Sequence, residues 1–123
     1  MEWQIYILNK RMAFRLDQLT LENIYYRRVI STTNFQQLVL MSVPDNIERE
    51  MHPYNDQFIK IEDGMAEIII NDGDHYFLHE GDSITIPANN YHEVINKGSM
   101  PLKLYTIYSP PHHPPDTLEL NKS

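Results

Sequence analysis

The sequence predicts an all-β protein, an antiparallel sandwich or jelly roll. Short runs rich in β-branched and aromatic residues follow one another, each closed by Gly, Pro, Asn or Asp. No stretch keeps a helical apolar period over about a dozen residues. A length of 123 residues fits one domain able to bury its own core, and neither a 20–50-residue repeat nor an inter-domain linker is visible.

The elements read in order as follows. "WQIYIL" (3–8) is β-rich, and 16–23 reads as an edge segment or a short turn of helix. "YYRRVIST" (25–32) is a strand, and "QLVLMSV" supplies a near-continuous apolar strand over 37–43, ended by Pro44, Asp45 and Asn46. "QFIKIEDG" (57–64) alternates, and Asp63-Gly64 predicts a hairpin into "MAEIIIND" (65–72). A second turn at Asn71-Asp72-Gly73-Asp74 leads to "HYFLHEGD" (75–82) and "SITIP" (83–87). "HEVINKG" (92–98) and "LKLYTIYS" (102–109) complete the set. Prolines 110, 111, 114 and 115 deny the tail ladder donors, so it reads as extended chain packed on the barrel.

Composition removes several functional classes. There are no cysteines, so disulfides and thiolate metal sites are excluded. A formal charge of -7 repels phosphate backbones, which argues against a nucleic-acid partner. No apolar run approaches the roughly 20 residues of a membrane span, and charges interrupt 1–21, so neither a membrane nor a signal peptide is expected. The expected compartment is the cytoplasm.

The stretch "EREMHPYNDQFIKIEDG" (48–64) carries the candidate chemistry. On a strand, Glu50 and His52 leave the same face, a plausible carboxylate–imidazole pair for a metal. Such a pair at a strand end is also common surface decoration. Gln57 has the opposite parity unless Pro53, Asn55 and Asp56 break the strand; Gln57, Ile59 and Ile61 then share one side. His92 opens a strand after the turn Ala88-Asn89-Asn90, and alone fits a surface histidine as well as a ligand. His75 and His79 share a strand face and read as solvent-facing or cross-strand residues. His112-His113 sits among prolines and reads as a tail feature, not a designed site. Tyr105 and Tyr108 read as core or rim aromatics. There is no nucleophile elbow, phosphate loop, dinucleotide fingerprint or H-E-x-x-H motif.

Two segments together resemble the cupin family. Gly81, Pro87, Asn89, His92 and Asn96 keep the spacing of its second motif, with Asn89 at an inner glycine position. Asn is the next-best residue there, because it tolerates positive φ. Glu50, His52, Gln57 and Gly64 keep the spacing of the first motif, with Glu50 in place of its first His, Gln57 in place of its Glu and Pro44 in place of its leading Gly. "LTLENIYYRRV", "HPYNDQFIKIEDG" and "PLKLYTIYSPPHHP" look like a group of small single-domain cupins labelled mannose-6-phosphate isomerase-like, in which this motif variant is the usual form.

The resemblance implies a double-stranded β-helix, the RmlC-like cupin jelly-roll barrel, over 16–115. Residues 1–15 would be an N-terminal extension and 116–123 a C-terminal tail. It implies one divalent ion (Zn, Fe, Mn or Ni) on Glu50, His52, Gln57 and His92, with Glu50 also able to move protons. Tyr54, Ile59, Tyr105 and Tyr108 would line a pocket for a small molecule such as a sugar. Arg27, Arg28 and Lys60 are the cations available for a phosphate. The implied function is a metal-binding cupin, a sugar or sugar-phosphate isomerase or epimerase. The alternatives are a non-catalytic sensor and an Fe(II)-dependent dioxygenase. A homodimer is expected, with the 3–8 segment crossing to a partner as a swapped edge strand. A chain starting at Leu16 is then expected to run as a monomer in light scattering; an unchanged dimer removes that role from the segment.

Overall fold

The computed structural model describes residues 12–122, so the 3–8 segment lies outside the described residues. A short helix, α1 (Leu16–Glu22), leads into β1 (Arg27–Thr32), β2 (Gln37–Val43), β3 (Asn46–Met51), β4 (Asp56–Asp63) and β5 (Met65–Ile70). β6 (Asp74–His79), β7 (Ser83–Ile86), β8 (Tyr91–Asn96), β9 (Leu102–Ser109) and β10 (Leu118–Glu119) follow. They form a six-stranded antiparallel sheet, β10-β1-β2-β9-β4-β7, facing a four-stranded one, β3-β8-β5-β6. This is the expected jelly roll, with the main core between the sheets.

Burial follows the sequence period. Along β9, Leu102, Leu104, Thr106 and Tyr108 are buried, while Tyr105 and Ile107 pack on the opposite face. β2 is buried at every position because both its faces are covered. Val39, Met41 and Val43 point between the sheets, whereas Leu38 and Leu40 lie under Phe14, Leu16 and Leu19 of the α1 region. That explains an apolar run with no alternation. The 16–23 segment therefore resolves as helix, because its apolar residues cover this outer patch.

Asp63-Gly64 does not make a hairpin. β4 pairs with β7 and β9, while β5 pairs with β6 and β8, so the turn carries the chain from one sheet to the other. Alternating sequence on both sides fixes which face is buried but not which strand is the partner. Gly64 has φ +101, and a Cβ there would meet Leu102 Cδ1 at 3.2 Å. The Asn71-Asp72-Gly73 turn is a true hairpin joining Ile70 to Asp74, with φ of 52 and 64 at Asn71 and Asp72.

Two features were not legible. β3 sits one bend after β2 and pairs with β8, with Ile47 opposite Val94 and Glu50 opposite His92. The register shifts between them, three steps on β3 against two on β8. The tail also returns as β10 against β1 in spite of its prolines, with Arg27 opposite Glu119. Val29 N–H donates to the Thr117 carbonyl at 3.0 Å, just beyond the proline run.

At both Gly64 and Gly81 (φ +89) alanine is strained, but only Gly64 also meets a neighbour, since nothing lies within 4 Å of a Cβ at Gly81. Gly81→Ala is expected to cost about 1–2 kcal/mol and Gly64→Ala more, read as a lower urea midpoint at unchanged slope. Equal losses would mean that the Leu102 contact contributes nothing.

Candidate metal centre

Two cross-strand rows face each other at one end of the barrel. On the six-stranded sheet, Gln37 lies opposite Tyr108 and Tyr108 opposite Gln57. On the four-stranded sheet, Glu50 lies opposite His92. The shift in β3 is what puts Glu50 there. Ile47 and Val94 both point into the core, and in a regular strand Glu50 would point the other way. His52 follows two residues later and is 5% exposed. Its carbonyl accepts the Asn89 N–H at 3.0 Å, which ties the second-motif turn to the ligand loop. Asn89 has φ +70, the conformation expected at the inner glycine position.

Glu50 Oε1 is 3.3 Å from His52 Nε2 and 3.4 Å from His92 Nε2. The three potential ligand atoms lie within 4.8 Å of one another, so this group is able to hold a metal ion. His92 Nδ1 lies 3.2 Å from the Asn90 carbonyl. A carbonyl only accepts, so Nδ1 carries a proton and Nε2 is the ring atom turned towards Glu50. Burial pushes the Glu50 carboxyl up, but the two adjacent imidazoles outweigh burial and hold it well below the usual carboxylate range. Glu50 is thus an anion, and its side chain is 35% exposed.

The polar atoms left over test the fit of a cation. Gln57 Nε2 donates to Thr106 Oγ1 at 3.0 Å and Tyr108 Oη at 3.3 Å. Burial pushes the Tyr108 phenol well above its usual range, so it stays protonated. Both amide hydrogens of Gln57 are therefore engaged, and its Oε1 is buried without a partner. His92 Nε2 is also buried without a hydrogen bond, since the nearby Glu50 oxygen closes none with it. A buried amide oxygen without a donor, beside a buried imidazole nitrogen without a partner, is what a cation satisfies.

The other expected residues scatter. Tyr108 stands edge-on to His52, with ring centroids 5.4 Å apart. Ile59 is a core residue, and Tyr54 is 83% exposed. Tyr105 is corrected: it lies on the far face of the six-stranded sheet, against the α1 cluster. Parity alone separates it from Tyr108, three residues on. Arg28 stacks on Tyr25 and Lys60 pairs with Glu62 at 2.8 Å, whereas Arg27 lines a cleft of about 240 Å3 that reaches Glu50. His75 and His79 are exposed and pair with Glu67 and Asp82.

His112 is not a detached tail residue: its ring lies 4.3 Å from that of His52. Two buried amides bolt the tail across the barrel mouth. Gln37 Oε1 accepts the N–H groups of His112 (3.1 Å) and His113 (2.9 Å), and its Nε2 donates to the His113 carbonyl at 2.7 Å. Asn55 Nδ2 donates to the Pro110 carbonyl at 2.6 Å. The available signal was Gln37 itself, a polar residue heading an apolar strand.

Residues 38–108 match the family model Cupin_2, described as Cupin domain. Uncharacterized protein L612 of Acanthamoeba polyphaga mimivirus is 45% identical over 124 residues, covering 97% of this chain and 74% of that protein. Uncharacterized protein YrkC of Bacillus subtilis is 33% identical over 121 residues, covering 93% of this chain and 65% of that one. The chain thus spans about two thirds to three quarters of these relatives' length. The crystal structure of BH2720 from Bacillus halodurans superposes with a TM-score of 0.86 at 34% identity, covering 88% of this chain and 87% of that one.

Burial pushes His113 down to about 4, the Arg27 charge acting in the same direction, and burial lowers His112 as well. The folded protein keeps these rings neutral where an unfolded chain binds protons near pH 6.5. Stability of the metal-free protein is therefore expected to fall as pH drops from about 6.5 towards 4. His113→Gln keeps the backbone bonds to Gln37 and is expected to flatten part of that fall in urea titrations at stepped pH. An unchanged slope would show that the ring is not held neutral.

Proposed function

This chain belongs to the cupin family, and from that premise we propose that it is a mononuclear metal protein acting on a small oxygen-bearing molecule, in the manner of a sugar or sugar-phosphate isomerase or epimerase. The observation that carries this reading is the pair of buried, unpartnered atoms, His92 Nε2 and Gln57 Oε1, beside the Glu50–His52–His92 group. In the proposal Glu50, His52 and His92 hold the ion and Gln57 Oε1 completes the set. A bound Zn, Fe, Mn or Ni ion would supply Lewis acidity towards a carbonyl or hydroxyl oxygen.

The chain's own residues then have distinct tasks. Thr106 and Tyr108 take both amide hydrogens of Gln57, which fixes its oxygen as the atom left to bind. The Asn90 carbonyl fixes the His92 tautomer. Glu50 is ionised and partly exposed towards the cleft, so it is also the group placed to move a proton of a bound substrate. The two-histidine, one-carboxylate composition favours a second reading, an Fe(II)-dependent oxygenase.

Elemental analysis of the purified protein is expected to find a divalent metal. After stripping with EDTA, Zn, Mn, Ni or anaerobic Fe(II) at about 100 times its dissociation constant should stabilise the fold by about 2.7 kcal/mol. Glu50→Ala and His92→Ala should abolish that shift, and Gln57→Leu should weaken metal binding by about tenfold. No copurifying metal and no shift with any of the four ions ends the proposal. Given a metal, sugar interconversion supports the isomerase, oxygen uptake with Fe(II) supports the oxygenase, and ligand binding without turnover supports a sensor.

A further inference from the structure

We propose that the cleft beside Glu50 is an oxyanion subsite, in which Arg27 takes the carboxylate or phosphate of a small organic anion. It rests on the metal reading only for where the other end of that ligand goes.

The first observation is where unsatisfied polarity collects. Among the described residues the buried side-chain atoms without a hydrogen-bond partner are Arg27 Nε, Gln57 Oε1, His92 Nε2 and His113 Nε2. Gln57 and His92 belong to the candidate metal centre. Arg27 and His113 do not, so an ion leaves their atoms unpartnered. Arg27 Nε–H only donates, and a buried donor without an acceptor is costly, so the missing group must accept.

The second observation is the geometry of Arg27. It shares a face of β1 with the core residue Val29, while Arg28 turns outward onto Tyr25. Its Nη1 is held by Glu119 of β10, across the strand pair. That bond fixes the guanidinium but leaves the Nε edge without a partner. Arg49 shows what this edge takes: its Nε and Nη2 each donate to a carboxylate oxygen of Asp72 at 2.8 Å. A planar oxyanion beside Arg27 would be gripped in the same side-on fork.

The third observation is charge. The chain carries a formal charge of -7, yet Arg27, Arg49 and Lys122 line this cleft against Glu48 and Glu50. Arg49 is committed to Asp72, and Lys122 faces Asp45 and Glu48. Arg27 is the cation whose Nε edge has no partner. The Arg27 charge also reaches the ring of His113, whose Nε2 is likewise without a partner. The His113 backbone is fixed by Gln37 and its ring rests on Tyr108 at 5.3 Å. One end of a ligand gripped here would lie in the cleft and the other against Glu50.

The test uses EDTA-stripped full-length protein, so that binding is not to a metal, and titrates inorganic phosphate, glycolate and neutral ethylene glycol by calorimetry. Phosphate or glycolate is expected to bind and ethylene glycol not to. The tighter of the two anions identifies the ligand's group as phosphate or carboxylate. Arg27→Gln should weaken anion binding by about 10- to 100-fold, whereas Lys60→Gln, the same charge change on the far face, should not. Arg27→Lys keeps the charge and loses the fork, and should show most of the loss if Arg27→Gln does not fold. Metal content of the reloaded Arg27 variants should match wild type, which separates this subsite from the metal reading. Anion binding no tighter than that of ethylene glycol, or unmoved in both Arg27 variants, overturns the proposal.

Discussion

The candidate site depends on one extra residue in β3. Between Ile47 and Glu50 the strand advances three positions while β8 advances two. Side chains alternate along a strand, so without that bulge Ile47 and Glu50 could not both point into the barrel. With it, the same strand seals the core through Ile47 and presents a carboxylate to His92. Arg49, between them, is sent outward to lie over Tyr91, its guanidinium 3.8 Å from the ring centroid, and to clasp Asp72. Those contacts anchor the outer side of the strand at the point where its ladder is interrupted.

Placing polar groups between two sheets is costly unless each finds a partner, and amide side chains meet most of that demand. Gln37 is wholly buried and uses both oxygen lone pairs and both hydrogens, on His112, His113 and Thr32. Asn55 holds the prolyl carbonyls, and Asn96 donates to the carbonyls of Val43, Pro44 and Met100. These residues let a strand run straight into a tail or loop without leaving orphaned backbone groups. Gln57 differs from them at one atom, its oxygen. In a chain that satisfies its other buried amides so fully, that one lone pair marks a position for something else.

How much of this was legible follows from how local each signal is. β2 and β9 were read to their ends because apolar pattern and closing turn residues agree there. The second motif placed His92 and Asn89 correctly, since a turn needing positive φ leaves a trace in residue type. The Asp63-Gly64 turn was located but joined to the wrong partner, because strand pairing is decided by distant residues. Tyr105 and Tyr108 shared an expectation that strand parity forbids. The placing of His112 was the least visible. It depends on Gln37 reaching across 75 positions of sequence to hold a proline-rich segment, and no local pattern announces such a contact.

The donor set itself argues for the kind of molecule that would complete it. Glu50 is the single anion in the group, and a histidine binds a metal as a neutral imidazole. A divalent ion bound there would keep about one unit of positive charge in a partly buried place. A second protein carboxylate would cancel it, but the position held by Gln57 supplies a neutral oxygen instead. The remaining charge therefore favours a negatively charged ligand from solution, approaching where Glu50 is open to the cleft. Arg27 lines the same approach with its cationic edge unengaged. An amide in place of a carboxylate at Gln57 would thus weaken the hold on an ion there while strengthening that ion's pull on an anion.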